Sequence, residues 1–209
     1  MAATDYATNV FFNCPFDDGY EELRDAMVFA IYDCGFIPRC ALEEDNGGDV
    51  RFEKIKKIIE DSKFGIHDIS RTELDQIDEN TALPRFNMPL ELGVFIGAKR
   101  FGDSRQKRKN LLILDRDPYR YHIFISDISG HDIRSHGDDL EKLISKVRDW
   151  LTTASRRKTI PGGQKILERY RAFRKELPVL AAALDLEMGE ITYNDYSNIV
   201  SEWLKEKSS

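Results

Sequence analysis

Long apolar runs and paired cysteines are both missing from this chain of 209 residues. No apolar stretch approaches the roughly 20 residues that a membrane-spanning helix needs. The first residues lack the basic and apolar regions of a secretory signal. The three cysteines have neither the spacing of a disulfide framework nor that of a zinc site. We therefore expect a soluble, cytoplasmic protein that does not bind membranes and holds no structural metal.

The chain also has fewer basic residues than acidic ones. The chain has 31 lysines and arginines against 37 aspartates and glutamates, a formal net charge of -6. Binding to duplex DNA or RNA needs a basic face, so we expect no direct duplex binding, and the short basic runs at 105–109 and 156–158 are interpreted as solvated loops. A phosphate-cradling glycine motif is missing too, since Gly47 and Gly48 lack its spacing. With no histidine–cysteine cluster either, we expect no cofactor.

What the chain does have, from Thr8 to about Ala154, is an alternation of strand and helix patterns. Short apolar runs predict strands at 9–14, 36–41, 63–69 and 110–115, and a weaker fifth at 130–134. Helical spacing predicts helices at about 17–34, 50–61, 89–99, 119–129 and 139–153, with Phe52 among the inward residues of the second. This alternation is typical of α/β proteins. We predict a flavodoxin- or Rossmann-like three-layer fold with a five-stranded parallel sheet and a C-terminal helical extension.

The domain organisation follows from a change in composition after the last of these elements. Residues 1–154 are assigned to the α/β domain and residues 155–163, Ser-Arg-Arg-Lys-Thr-Ile-Pro-Gly-Gly, to a linker. Residues 164–209 are assigned to the extension, with helices predicted at 164–175, 178–186 and 193–205. Their apolar stripes are expected to pack on the main domain or to form the contact of a homodimer or higher homo-oligomer.

The candidate site lies in the loops that follow the strands. In an open parallel sheet, ligands bind at the carboxyl ends of the strands. The loops at 13–20, 68–71 and 115–118 follow the first, third and fourth strands and are rich in polar residues. The stretch at 71–86 has little apolar periodicity, and a loop of that length is usually a functional lid or disordered. We favour the lid.

Glu91 is the strongest candidate for a catalytic residue. It falls in the first turns of a helix that is apolar on nearly every side and is therefore predicted to be buried. The nearby helix N-terminus favours the ionised carboxylate. Such a carboxylate in a dry pocket can act as a nucleophile or stabilise an oxocarbenium-like state. The alternative interpretation is a structural ion pair with Arg85, Arg71 or Arg39.

Other residues near the strand ends have both a functional and a structural interpretation. Asp68 could hold a ribose hydroxyl, act as an acid, or serve only to fix a turn, while His67 is expected to be a core histidine. Phe16, Tyr20 and Phe86 could stack on a base or belong to the core. Two arginines, Arg39 and Arg71, could bind phosphate or form surface salt bridges.

Three motifs give the chain a family resemblance over about 8–135. They are Asn13-Cys-Pro-Phe16 after the first strand, His67-Asp68-Ile-Ser70 at the end of the third, and Glu91-Leu92-Gly93 in the following helix. With these motifs the chain resembles the nucleoside 2-deoxyribosyltransferase-like proteins and, through them, the TIR-type NAD hydrolases. It departs from the transferases by lacking their acidic residue and Gly-Thr pair before the glutamate, and from TIR domains by lacking Ser-x-Trp-Cys.

The resemblance implies a role for each matching residue. Glu91 would be the catalytic residue that attacks the anomeric carbon of a sugar, and Asp68 would assist it. The substrate-binding residues would be Asn13, Cys14, Pro15, Phe16, Tyr20, Arg39, Ser70, Arg71, Phe86 and Asn87. Relatives of this group resemble bacterial antiviral defence effectors, and a lone domain with a helical tail suits that use.

The predicted function is a nucleotide N-glycosidase or base-exchange enzyme that acts on NAD or a (deoxy)nucleoside phosphate without metal. Two alternatives stay open. The same glutamate would serve a synthase that makes a cyclic nucleotide signal from NAD. The chain could instead be a non-enzymatic module, either a nucleotide sensor that signals through its C-terminal helices or an adaptor that uses the tail around Trp203.

Overall fold

The computed structural model describes residues 6–43, 47–48, 50–72, 74–76 and 82–208. The strands in these ranges are β1 (Asn9–Asn13), β2 (Ile37–Arg39), β3 (Phe64–Asp68), β4 (Leu74–Gln76), β5 (Ala82–Pro84), β6 (Asn110–Asp115) and β7 (Ile133–Ser135). The α-helices are α1 (Glu21–Asp33), α2 (Arg51–Glu60), α3 (Asn87–Phe101), α4 (Leu140–Ser155), α5 (Gly163–Ala182) and α6 (Tyr193–Ser208). None of these helices is both long enough and apolar enough to cross a membrane.

Five of the strands form one parallel sheet in the order β2-β1-β3-β6-β7. Helices cover both faces, which confirms the predicted three-layer α/β fold. All residues of β1 and β3 are buried, as their continuous apolar runs indicate. The chain continues from β1 to β2 on one side and places β3 on the other. The strand order therefore reverses between β1 and β3, where open sheets bind ligands.

The two helical layers are unequal. Helices α2 and α3 pack together on one face, whereas α1 and α4 lie on the other and are themselves covered by α5 and α6. Phe29 of α1 lies 5.4 Å from Phe173 of α5 and 5.9 Å from Trp203 of α6, measured between ring centroids. The C-terminal helices therefore share the core of the α/β domain, in agreement with the expected packing on that domain.

Helix α5 differs from the prediction, because it continues through Pro178 instead of ending before it. The predicted helices at 164–175 and 178–186 are thus largely one element. A proline inside a helix removes one backbone hydrogen bond and is costly in isolation. Here Leu177 and Ala181 on either side of it are buried in the core. This burial holds the helix together where local propensity alone predicts a break.

Three other local predictions were wrong. The segment at 119–129 forms two short 3-10 turns, Arg120–Ile123 and Ser126–Ile128, and Tyr119 before them adopts a left-handed conformation with φ of 62°. Phe52 was predicted to face inward but lies at the surface. Helix α3 was predicted to be buried, but it buries only one face and leaves Leu90 54% exposed.

The segment at 71–86 contains an antiparallel hairpin of β4 and β5, in which Leu74 pairs with Pro84. This hairpin was not predicted from the sequence. Residues 73 and 77–81 lie outside the described residues, and the lid stays a prediction.

His67 is a core residue, as expected, and its ring packs against two aromatic rings. Its ring lies 5.6 Å from that of Phe11 and 5.0 Å from that of Phe95. Neither ring nitrogen has a hydrogen-bond partner among the described residues. Burial, assisted by the charge of Lys109, lowers the pKa of His67 to about 3. The folded protein therefore holds this histidine in its neutral form.

This buried histidine predicts an acid-sensitive fold. The unfolded pKa lies near 6.5, so the stabilisation is complete above that pH and is lost progressively as the pH falls towards 3. By pH 5 this one group should lower the free energy of unfolding by about 2 kcal/mol. Urea denaturation gives the free energy of unfolding at pH 8 and at pH 5. The decrease from pH 8 to pH 5 should be about 2 kcal/mol smaller in His67→Leu than in the wild type. An equal decrease in both proteins would contradict the assignment.

Candidate functional site

Three buried polar side chains end adjacent strands of the sheet: Asn13 on β1, Asp68 on β3 and Asp115 on β6. Asn13 Nδ2 donates a hydrogen bond of 3.0 Å to the carbonyl oxygen of Met88, in the first turn of α3. This bond fixes the start of α3 against the end of β1. Glu91 comes one turn later in the same helix and is thereby held at the carboxyl edge of the sheet.

Glu91 is half-buried beside a cavity of about 270 Å³. Burial raises the pKa of its carboxyl to about 7, against the opposing charge of Arg51. The carboxylate makes no hydrogen bond or ion pair with any residue in the described part of the chain. The cavity is lined by Arg51, Phe52, Ile55, Asn87, Leu90 and Glu91.

The arginines proposed as structural partners of Glu91 contact other carboxylates. Arg39 Nε lies 2.7 Å from Oε2 of Glu43. Nη2 of Arg71 and Nη1 of Arg85 lie 3.8 Å and 3.7 Å from the two carboxylate oxygens of Asp17. The structural ion pair is therefore not formed. Glu91 is an acidic side chain, partly withdrawn from water, that faces open space.

These properties suit Glu91 for chemistry near neutral pH. A carboxylate with a pKa close to the working pH is available in both protonation states. Its poor solvation makes the ionised form more reactive towards an electrophilic carbon than a carboxylate in water. The arrangement can support nucleophilic attack or the stabilisation of a positively charged sugar.

A buried network surrounds Asp68. Tyr20 Oη donates to Asp68 Oδ2 at 2.5 Å, and the backbone N–H of Ser70 donates to Oδ1 at 2.9 Å. His136 Nε2 lies 3.0 Å from Asp68 Oδ2 and 3.0 Å from Ser70 Oγ. The backbone N–H of Asp138 donates to His136 Nδ1 at 3.1 Å, so in the neutral imidazole Nε2 carries the proton that faces Asp68. When His136 is protonated this bond is lost, and Nδ1–H faces Asp138 Oδ1, which lies 3.7 Å away.

The protonation states in this network favour an ion pair. Burial raises the pKa of Asp68, but its hydrogen bonds with His136, Ser70 and Tyr20 outweigh burial and lower it overall. Burial lowers the pKa of His136, yet the bond and charge of Asp68 raise it overall. A fully buried, ionised Asp68 is poorly suited to protonate a leaving base. Its geometry suits a positioning role, because it ties the loop after β1 to the end of β3.

The other predicted binding residues are spread around this edge. Asn87 lines the cavity with Glu91, whereas Phe86 is 63% exposed and Phe16 is half-buried. The ring of Tyr20 is fully buried, so it is not available for stacking on a base. The structure places the remaining residues as follows: Cys14, Pro15 and Ser70 are buried, Arg71 lies beside Gly19 and Asp17, and Arg39 is held by Glu43.

Cys14 lies near both acidic groups but is not a nucleophile in this state. Burial raises its pKa well above the usual range, and the negative charges of Asp68 and Glu91 add to this effect. The thiol is therefore protonated at neutral pH, and reactivity requires the thiolate.

Sequence reasoning missed His136, Arg51 and the pair of Asp115 with Arg120. Arg120 Nε and Nη2 lie 2.8 Å and 2.7 Å from Asp115 Oδ1. The signal for His136 was its position immediately after β7, where the parallel register places it at the same sheet edge as Asp115. Arg51 begins α2, and no local pattern indicates that this end of the helix meets the cavity.

The raised pKa of Glu91 predicts that Glu91→Gln stabilises the fold. The unfolded pKa lies near 4.5 and the folded pKa near 7, so the wild type is destabilised increasingly as the pH rises through this window. Because the side chain borders open space, the gain at pH 8 should be discounted to roughly 1–3 kcal/mol. Urea denaturation should show this gain at pH 8 and none at pH 4. A variant less stable than the wild type at pH 8 would refute the prediction.

Comparison with known proteins gives one distant relative and no family model that matches. The chain is 29% identical over 136 residues to protein tirC of Dictyostelium discoideum. The alignment covers 60% of this chain and 64% of that protein, and so spans less than two thirds of the relative. Within the described residues, no group of three or more His, Cys, Asp and Glu side chains is arranged to hold a metal ion.

Proposed function

We propose that this protein is a nucleotide N-glycosidase or base-exchange enzyme in which Glu91 is the nucleophile. The observation that carries the proposal is a half-buried carboxylate with a pKa near 7, no partner in the described chain and a cavity beside it. The helix that carries Glu91 begins against the end of β1, next to the point where the strand order reverses, and this supports a ligand site there. The name of the relative tirC, which points to TIR proteins, supports NAD as the first substrate to test.

The proposed reaction has two steps that exchange one bond for another. A carboxylate oxygen of Glu91 forms a bond to the anomeric carbon while the bond from that carbon to the base nitrogen breaks. The base leaves with the electron pair. Nicotinamide is released neutral without needing a proton, whereas the base of a (deoxy)nucleoside phosphate takes a proton from water. Water or a second base then attacks the same carbon and frees Glu91.

One cationic side chain at the cavity supports a phosphorylated substrate. Arg51 lines the cavity, whereas Arg71 and Arg85 do not line it and lie within 4 Å of Asp17 in the loop after β1. Guanidinium groups bind phosphate oxygens in bidentate geometry. With Arg51 in its lining, the cavity therefore suits a nucleotide better than an uncharged nucleoside.

The test is to incubate the purified protein with NAD and with a panel of (deoxy)nucleoside monophosphates and measure free bases by mass spectrometry. We expect base release from at least one of them, and none with Glu91→Gln. The mass of the other product separates the outcomes: hydrolysis adds one water to the sugar phosphate, cyclisation does not, and exchange needs an added base. The absence of any released base with the wild type would refute the enzymatic proposal.

A nucleotide sensor is the second candidate, and one observation favours it. Tyr20 bonds to Asp68 and immediately precedes α1, which contacts both α5 and α6. Binding of a nucleotide at the sheet edge could thus change the packing of the C-terminal helices. A sensor would bind a nucleotide without consuming it, so the same incubation distinguishes the two.

A further inference from the structure

A second cavity lies on the α1 side of the sheet, where α1 meets α5, α6 and the segment between them. Its volume is about 500 Å³, within the range of about 300–1,000 Å³ that small-molecule sites occupy. None of the residues that line it also lines the Glu91 cavity. It is therefore a separate space that the proposed reaction does not use.

Two arginines from different helices form one wall of this cavity, on either side of a buried aspartate. Nη2 of Arg24 lies 3.3 Å from Oδ1 of Asp25, and Nη1 of Arg174 lies 2.9 Å from Oδ2. No residue that the structure describes accepts a hydrogen bond from Nε or Nη1 of Arg24. The same is true of Nε and Nη2 of Arg174. Two guanidinium groups with unused donors at one cavity can hold the oxygens of a phosphate.

The carboxylates nearby oppose an anion less than their number suggests. Glu21 Oε1 pairs with Arg24 Nη2 at 3.1 Å, but the side chain of Glu21 is 62% exposed, so water screens its charge. Burial raises the pKa of Asp25 to about 6, although Arg24 and Arg174 both lower it. A phosphate dianion that approaches Asp25 raises this pKa further and favours the neutral carboxyl. The two arginines then face the anion with little competition.

A second part of the lining, called here the apolar wall, carries large apolar side chains. It consists of Leu177 of α5, Met188 and Ile191 between the helices, and Tyr193 at the start of α6. Thioether and aromatic side chains pack well against flat organic rings. A ligand that uses both walls carries a phosphate at one end and an apolar or heterocyclic group at the other.

We propose that this cavity binds a small organic phosphate, with the phosphate on the two guanidiniums and the organic group on the apolar wall. Such a ligand joins α1 to α5 and to the segment that leads into α6. Arg24 lies one turn after Tyr20, whose hydroxyl bonds to Asp68. The bound ligand therefore stabilises the packing of the C-terminal helices on the helix that begins at the Asp68 network.

The test uses the chain of 209 residues carrying Glu91→Gln, so that no turnover consumes the probe, and titrates AMP, adenosine and inorganic phosphate by calorimetry. We expect AMP to bind at least about tenfold more tightly than either adenosine or phosphate and to raise the melting temperature. Arg174→Gln should weaken AMP binding at least about tenfold. The matched control is Arg171→Gln, an exposed arginine of the same helix that does not line the cavity, and it should bind AMP unchanged.

Three results would overturn the proposal: no binding of AMP, AMP binding that Arg174→Gln leaves intact, or equal affinities for AMP and phosphate. The side chain of Arg174 is 38% exposed, so Arg174→Gln should fold, which circular dichroism checks. Arg174→Lys provides a second variant that keeps the charge but loses the fork of donors, and it should bind AMP with intermediate affinity. These measurements are made without an active Glu91, so their failure is independent of the failure of the proposed reaction.

Discussion

Glu91→Gln is expected to reduce base release by at least about 10³-fold while the protein remains folded. The amide keeps the size of the side chain but cannot attack an anomeric carbon. Since the same change should stabilise the fold at pH 8, lost activity cannot be attributed to unfolding. Initial rates with the best substrate of the panel provide the measurement. The matched control, Glu168→Gln, alters an exposed glutamate of α5 and should leave the rate unchanged.

Glu91→Asp separates the charge from its placement. It keeps a carboxylate but withdraws it from the cavity by one methylene, and a displacement of about 1 Å should cost on the order of 10²-fold in rate. If Glu91 were only a local negative charge, this variant would retain most of the activity. An active Glu91→Gln would exclude the residue as nucleophile altogether.

The pH dependence of the rate follows from the same carboxyl group. Only the ionised form attacks, and its pKa is raised to about 7 by burial. The rate at low substrate concentration should therefore rise about tenfold per pH unit below pH 7 and level off above it. A flat profile between pH 5.5 and pH 8 would show that Glu91 does not titrate in the rate-determining step.

Most of the fold could be predicted from the sequence because its signals are local. Strands β1, β3 and β6 are short apolar runs, and the parallel sheet follows from their alternation with helices. Helix α5 could not be bounded, since its continuation through Pro178 depends on burial against helices distant in sequence. The 3-10 turns after β6 were missed for a similar reason, because Arg120 is fixed there by Asp115 and the carbonyl oxygen of Ile69.

The candidate site, like the fold, could be predicted only where its signals are local. The motif around Glu91 is contiguous, so the residue could be singled out. Its lack of an ion pair depends on the tertiary contacts of Arg39, Arg71 and Arg85, which pair with other carboxylates. The partners of Asp68 come from three parts of the chain: the loop after β1, the turn after β3 and the residue after β7. No periodicity links Tyr20 to His136. Tyr20 was therefore expected either to stack on a base or to belong to the core, and His136 was not considered.

Asp68→Asn is expected to lower the free energy of unfolding by about 3 kcal/mol near pH 5.5, because it leaves the buried imidazolium of His136 without its counter-ion. The hydrogen bonds from Tyr20 and Ser70 weaken as well, since they lose a charged acceptor. Asp132→Asn is the matched control. Asp132 pairs with Arg134 at the surface, and its loss should change stability by less than about 1 kcal/mol.

The pH dependence of this loss identifies the ion pair. Asp68 has a lowered pKa, so its contribution is present above about pH 4 and disappears as the pH falls below that. His136 has a raised pKa, so its contribution is present below about pH 6.5 and is lost as the pH rises through its folded pKa. The difference between wild type and Asp68→Asn should therefore be largest between these limits and smaller at pH 9.

A double-mutant cycle with His136→Gln then measures the coupling. If the two side chains form one buried pair, the second substitution should add much less than its own separate cost. Additive costs would mean that Asp68 and His136 stabilise the fold independently. In that case the network would not hold the loop after β1 against β3 as one unit, and Asp68 would lose its proposed role in positioning the edge of the sheet that carries Glu91.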